Sequence, residues 1–202
     1  MKIISIGFYF LYILTPITVL ADPQSILQQR LAQVSGIYLK FHQKVMDKNN
    51  ILIQESDGEL WVQRPNQFYW HVFSPDENIL LSDGRDMFFY HPLINQVVIY
   101  RIKNDLSYSP LMLIVGKKNS DWEDYNIIQK NDNFFFTPKK SEKDLIKFSI
   151  EITKSGIINR FSAIEESGLY SSYDFHNQKN ILVDMNQFKL IFPSGVTIDD
   201  QR

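Results

Sequence analysis

Side chains equipped for acid–base or metal chemistry are few in this sequence, and they are poorly spaced. The four histidines are His42, His71, His91 and His176, and no HExxH occurs. A zinc site of that kind needs two imidazoles one helical turn apart on one face; these four read as surface or strand histidines. Adjacent acids occur as Asp76-Glu77, Glu165-Glu166 and Asp199-Asp200. Neighbours on a strand point to opposite faces, so such pairs make poor acid–base couples and fit turns or solvated edges better. No GxSxG, phosphate-binding loop or dinucleotide glycine pattern is present, so the short motifs for acyl transfer and nucleotide binding are missing. There is no cysteine, which removes thiol catalysis, disulfides and cysteine-ligated metals, together with the attachment point of a lipid anchor. One charged residue does stand in an unexpected place. In ELWVQRPNQFYWHV, residues 59–72, Arg64 follows Leu60 and Val62 on the same parity, and Phe68, Trp70 and Val72 form an apolar row beyond the turn. On spacing alone Arg64 reads as a solvent-facing turn residue.

These residues must be positioned by one fairly large core. A chain of 202 residues supports a single substantial domain, and a formal net charge of -2 supplies no basic field for nucleic acid or an anionic membrane. Residues 1–21 differ from the rest. Lys2 is their only charge, residues 3–14 are apolar, Pro16 ends the run, and Val19-Leu20-Ala21 fits a signal-peptidase site. This pattern predicts a cleaved secretory signal over 1–21 and one exported domain over 22–202.

Asp22-Pro23-Gln24-Ser25 opens like a helix, with a capping aspartate and a first-turn proline. Leu27, Leu31 and Val34 then give an apolar stripe, while Arg30 and Gln33 face elsewhere. Period-two alternation takes over at Ile37, Leu39, Phe41 and Val45. Further strands are predicted at about 51–55, 58–64, 67–73, 77–82, 86–91, 95–102, 126–129, 132–138, 145–152, 157–165, 169–176 and 186–192. Asp57-Gly58, Pro65-Asn66, Ser74-Pro75-Asp76, Asp83-Gly84 and His91-Pro92 punctuate them as turns. Ser109-Pro110 opens a short helix over 111–115 that is apolar nearly all round and must cover something apolar; residues 120–125 fit another helical turn. The expected architecture is one antiparallel sheet of roughly ten strands with helices at its start and middle. Its large aromatics, Phe68, Tyr69, Trp70, Phe88, Phe89 and Tyr90, fit both a helix-filled core and a curved wall around a ligand cavity.

Several segments together resemble a known family, the LolA periplasmic carriers of outer-membrane lipoproteins. They are GELWVQRPNQFYWHV (58–72), PDENILLSDG (75–84), FYHP (89–92), SPLMLI (109–114), SDWEDYNI (120–127), RFSAIEE (160–166) and GVTIDDQR (195–202). Phe88 and Leu111 depart from the aromatic residues common at those places, which bears on the shape of a cavity more than on its existence. The resemblance implies a mainly β fold: an unclosed antiparallel half-barrel of about 11 strands, with an α-helical lid over a hydrophobic cavity. It implies a monomeric, non-enzymatic carrier without cofactor or metal. Such a carrier takes triacylated lipoproteins from an inner-membrane lipoprotein-releasing ABC transporter and gives them to an outer-membrane lipoprotein receptor. It further implies that Leu31, Trp70, Leu80, Met112, Ile114 and Phe161 line the acyl-chain cavity. Arg64 would latch the lid through backbone carbonyls, and Phe68 would influence engagement with the transporter. Two rivals differ in class: a related half-barrel that binds another lipid or senses envelope stress, told apart by what copurifies, and a hydrolase with a dispersed site, told apart by turnover.

Overall fold

The structure is a computed structural model, and it describes residues 22–102, 122–140 and 147–202. The predicted signal segment, the predicted helix at 111–115 with Met112 and Ile114, and the first two residues of the predicted 120–125 turn lie outside these residues.

The first element forms as its composition dictates. Asp22 caps helix α1 (Pro23–Ala32), its carboxylate accepting from the Ser25 amide at 3.3 Å, and Pro23 costs nothing where the helix has no N–H to satisfy. Twelve strands follow: β1 (Gly36–Met46), β2 (Leu52–Gln63), β3 (Gln67–Ser74), β4 (Asn78–Asp83), β5 (Asp86–His91), β6 (Gln96–Arg101), β7 (Tyr125–Lys130), β8 (Asn133–Pro138), β9 (Lys147–Ile152), β10 (Ile158–Ile164), β11 (Tyr170–Asn180) and β12 (Thr197–Asp200). The hairpin β4–β5 shows why the turns sit where they do. The Asp83 side chain accepts from the amides of Arg85 and Asp86, both at 2.8 Å, and Gly84 takes the positive φ of 97° that the turn needs.

The strands form a single sheet in the order β12-β6-β5-β4-β3-β2-β1-β11-β10-β9-β8-β7. The two ends, β12 and β7, do not meet, so the sheet is unclosed. All pairings are antiparallel except β12–β6, which is parallel. The two meanders β1–β6 and β7–β11 join along the β1–β11 seam, whose register shifts between Tyr38 and Lys40.

One face of this sheet packs beneath α1. Leu27 and Leu31 of the helix, with Val34 just beyond it, enter a cluster with Ile37, Leu39, Leu60, Val62, Phe68 and the inward residues of β8–β10. The opposite face of β3–β6 is covered by the C-terminal segment: the 3₁₀ turn Met185–Phe188 lies against β3 and β4, Phe188 is fully buried, and Phe192 approaches Phe88 with 6.3 Å between ring centres.

Four expectations need correction. Asp57-Gly58 is not a turn but the interior of β2. A side chain at Gly58 would place its Cβ 2.2 Å from the His71 carbonyl and 2.3 Å from the Phe41 ring, so the glycine marks a close approach within a strand. Residues 186–192 are a 3₁₀ turn followed by irregular chain rather than a strand. Asp199 and Asp200 lie in a strand that the pattern did not predict. Arg30 does not face away: it is 5 % exposed.

Candidate functional site

The inner face carries two continuous apolar rows, each crossing four strands. Leu80, Trp70, Leu60 and Leu39 stand directly opposite one another across β4, β3, β2 and β1. Phe134, Ile150, Phe161 and Tyr173 do the same across β8, β9, β10 and β11. Register enforces this, because a slip of one residue on any strand would send its row to the outer face.

The rows meet at the seam through Phe41. Its ring stacks on Trp70 at 4.2 Å between centres and lies edge-on to Tyr173 at 5.9 Å; Trp70 meets Tyr173 edge-on at 5.2 Å. Gly58 lies opposite Phe41 in the ladder and leaves the room that this stack occupies. Trp70 itself is only half-buried. The Tyr173 hydroxyl accepts from the Gln43 amide at 3.0 Å, and burial, with a smaller effect of Glu165, pushes its pKa up to about 12. The phenol is therefore neutral at physiological pH and adds no charge to the wall.

A pocket opens on the inner face, lined by Ile37, Leu39, Leu60, Val62, Ile158, Phe175 and Arg64. Six of these residues are apolar and one is a guanidinium. Arg64 is half-buried, and desolvation lowers its pKa to about 10; it still carries its charge at neutral pH. Its backbone amide donates to the Ser35 carbonyl at 2.9 Å, which sets the residue against the chain that leaves α1. The spacing-based expectation of a solvated turn arginine is thus overturned, because the turn folds its side chain back along the pocket.

The other predicted site residues distribute as follows. Leu31 on α1, Phe161 on β10 and Phe68 on β3 belong to the core cluster, and Trp70 and Leu80 pack against it from the more open side. Phe68 is 0 % exposed, so in this conformation it reaches a partner only through its neighbours. The histidines lie apart from the groove's chemistry. His42 is held by Asp57 at 2.9 Å, and His71 by Glu77 at 2.8 Å.

Sequence reasoning missed three contributors: Phe41, Tyr173 and Arg30. The alternation in β1 placed Phe41 on the apolar face, but nothing local marked it as the bridge between two halves that meet from distant parts of the chain. The Arg30 guanidinium reaches the Asp132 carboxylate at 2.6 Å and the Ile152 carbonyl, and it lies 5.2 Å above the Phe134 ring.

Fold and site together define an open-sheet protein whose inner face is an apolar groove roofed in part by a helix and edged by one arginine. The family described as "Outer membrane lipoprotein carrier protein LolA" matches residues 32–191. The chain belongs to that family. The outer-membrane lipoprotein carrier protein of Serratia proteamaculans is 44% identical over 185 residues, covering 92% of this chain and 91% of the relative. That of Yersinia pestis is 41% identical over 202 residues, with 100% of both chains covered. Among solved structures, a LolA superfamily protein from Nitrosomonas europaea has a TM-score of 0.51 at 12% identity, covering 85% of this chain and 99% of its own. An uncharacterized conserved protein from Thermus thermophilus has a TM-score of 0.56, also at 12% identity, covering 88% and 98%. At that identity the two structures speak to the fold alone.

Proposed function

We propose that this protein is a periplasmic carrier that holds the acyl chains of outer-membrane lipoproteins in its inner groove. It accepts them from an inner-membrane lipoprotein-releasing ABC transporter and passes them to an outer-membrane lipoprotein receptor. The observation that carries this reading is the pair of apolar rows bridged by Phe41, with a single arginine at the pocket between them. Burying an acyl chain is worth about 0.8 kcal/mol per CH₂, so three chains do not cross water unaided on a useful timescale. A groove lined by aromatic and aliphatic side chains supplies a compensating surface, and rings do so with few rotamers to freeze.

In this reading Leu31, Trp70, Leu80 and Phe161 contact the chains, as do Met112 and Ile114 of the lid helix that the sequence predicts at 111–115. Arg64 holds that lid closed. Its planar set of five donors satisfies carbonyls that lysine would meet less well, and each such bond contributes roughly 1.5–3 kcal/mol, enough to bias a closed state without locking it. Phe68 shapes the wall beneath the pocket, and through it the surface offered to the transporter. Residues 1–21 direct export and are cleaved near Ala21. The role requires no catalytic group, metal or cofactor, and the carrier acts as a monomer.

The test is direct. The purified mature protein is added to spheroplasts making a labelled lipoprotein. We expect the triacylated lipoprotein in the soluble fraction, in a one-to-one complex by intact mass. Release of free lipid without protein, or no release at all, would refute the reading.

A further inference from the structure

We infer that Arg30 is a positioning residue for cargo retention: it pins α1 to the β7–β9 half of the sheet, and its Asp132 partner sets how readily the helix lifts from the groove. This rests on the acyl-carrier reading for what the groove holds, but the pin itself stands on geometry. Arg30 occupies the last turn of a ten-residue helix, a length too short to persist alone in water. The helix therefore keeps its shape and place through attachments. Its apolar attachment is the contact of Leu27, Leu31 and Val34 with the core. Arg30 is a polar attachment, and its partners, Asp132, the Ile152 carbonyl and the Phe134 ring, belong to the β7–β8 turn, the end of β9 and β8. Asp132 is itself tied into the sheet, since its carbonyl accepts from the Ile152 amide at 2.9 Å.

The chain leaving α1 runs to the other side of the groove. Ser35 accepts from the Arg64 amide, and Gly36 begins β1. The helix thus bridges the two meanders, with Arg30 on one bank and the Ser35–Arg64 link on the other. Lifting α1 to widen the groove separates the Arg30 guanidinium from the Asp132 carboxylate, the Ile152 carbonyl and the Phe134 ring together, so the charge-assisted contacts are lost in one step. The carboxylate side is 43% exposed. Solvent and salt reach the pair there, and its strength is that of a partly screened contact. Such a joint holds the helix firmly enough to keep acyl chains in, yet it yields to a modest input of binding energy.

The experiment uses the full mature chain with Asp132→Ala, Asp132→Glu as the conservative restoration, and a tripalmitoyl-cysteinyl peptide as the cargo probe. Asp132 is changed rather than Arg30, because removing the exposed partner leaves the core side chain in place. Hydrogen–deuterium exchange should show α1 amides opening about two- to five-fold faster in Asp132→Ala, with β8 and β10 unchanged. Peptide dissociation should quicken by a similar factor, Asp132→Glu should recover most of both effects, and 0.5 M salt should shrink the difference between wild type and Asp132→Ala. Exchange that rises equally in all elements, or not at all in α1, overturns the pin. Faster α1 exchange with unchanged peptide release overturns the retention role. A wild-type protein that does not bind the peptide refutes the carrier reading instead, and the exchange data alone then judge the pin.

Discussion

Replacing Arg64 with leucine should separate stability from function. In the folded protein desolvation lowers its pKa from the ordinary arginine value to about 10. Each pKa unit is about 1.4 kcal/mol, so holding the charge in the pocket costs about 3 kcal/mol. That cost is offset by the hydrogen bonds proposed for it to the lid carbonyls, each worth roughly 1.5–3 kcal/mol. Leucine removes both sides, and the lining of Ile37, Leu39, Leu60 and Val62 is a suitable surface for it. The expected change in stability lies between about zero and a gain of 2 kcal/mol, or an upward shift in Tm of no more than about 8 °C for a domain of this size. The pH dependence follows with a definite sign. A base with a depressed folded pKa binds fewer protons folded than unfolded above pH 10, so its penalty is fully present below about pH 10 and is lost as pH rises toward the ordinary arginine value. The advantage of the leucine variant should therefore shrink by about 1 kcal/mol between pH 8 and pH 10.5. Thermal and urea unfolding of both proteins at the two pH values measures this, and a receptor transfer assay measures hand-off, which should fail in the variant because, in the proposed reading, Arg64 is the latch of the lid. A Tm lowered by more than about 6 °C would show that Arg64 holds the fold together. Unimpaired hand-off would remove the latch role.

Other expectations follow from the same geometry. Gly58→Ala should destabilise by at least about 1–3 kcal/mol in urea unfolding, because the new Cβ collides with the His71 backbone carbonyl as well as the Phe41 ring. Trp70→Ala should weaken tripalmitoyl-peptide binding at least ten-fold in a fluorescence titration while lowering stability by only about 1–3 kcal/mol, since its ring is half-buried and stacked on Phe41. Cysteines placed at Leu31 and Ile114 should crosslink in the empty protein and not in the loaded one; crosslinking indifferent to cargo would refute the lid. The pKa of His42 is raised chiefly by its hydrogen bond to Asp57, so its contribution is present below pH 6.5 and lost as pH rises through the folded value. His42→Gln should abolish a gain of a few tenths of a kcal/mol in stability between pH 8 and pH 5.5, read by urea unfolding.

Most of the fold was legible wherever a local rule governed it. The cap at Asp22, the alternation of β1 and the Asp83-Gly84 hairpin each depend on residues within a few positions. Reading failed where a distant partner decided the outcome. Asp57-Gly58 has turn composition, yet Phe41 required a position without a side chain, and the strand ran through. The Leu190-Ile191-Phe192 stretch looks like a strand, but β5 already had both its neighbours, and the segment instead covers the outer face. The short strand at 197–200 exists because β6 offered an open edge. Arg30 fell off the helix's apolar stripe and was read as exposed, since nothing nearby announced that Asp132 and Ile152 would close over it. The proposed cavity residues Leu31, Trp70, Leu80 and Phe161 rest on family resemblance, and the ladder registers give the physical reason that Trp70 and Leu80 share a face.

The seam between β1 and β11 also governs when the groove comes into being. Nearly every other pair of neighbouring strands is consecutive in the chain, whereas Gln43 and Tyr173 on this seam are 130 residues apart. Contacts so distant form slowly, because the intervening chain must be ordered first. During synthesis β1–β6 emerges with Leu39, Leu60 and Trp70 on an uncovered face, and that half is open to aggregation until β11 arrives. A half-made chain therefore has greasy surface but no groove. Lipid binding begins with the last large step of folding, and any substitution that slows pairing at the seam should reduce the yield of competent protein more than it alters the protein that does fold.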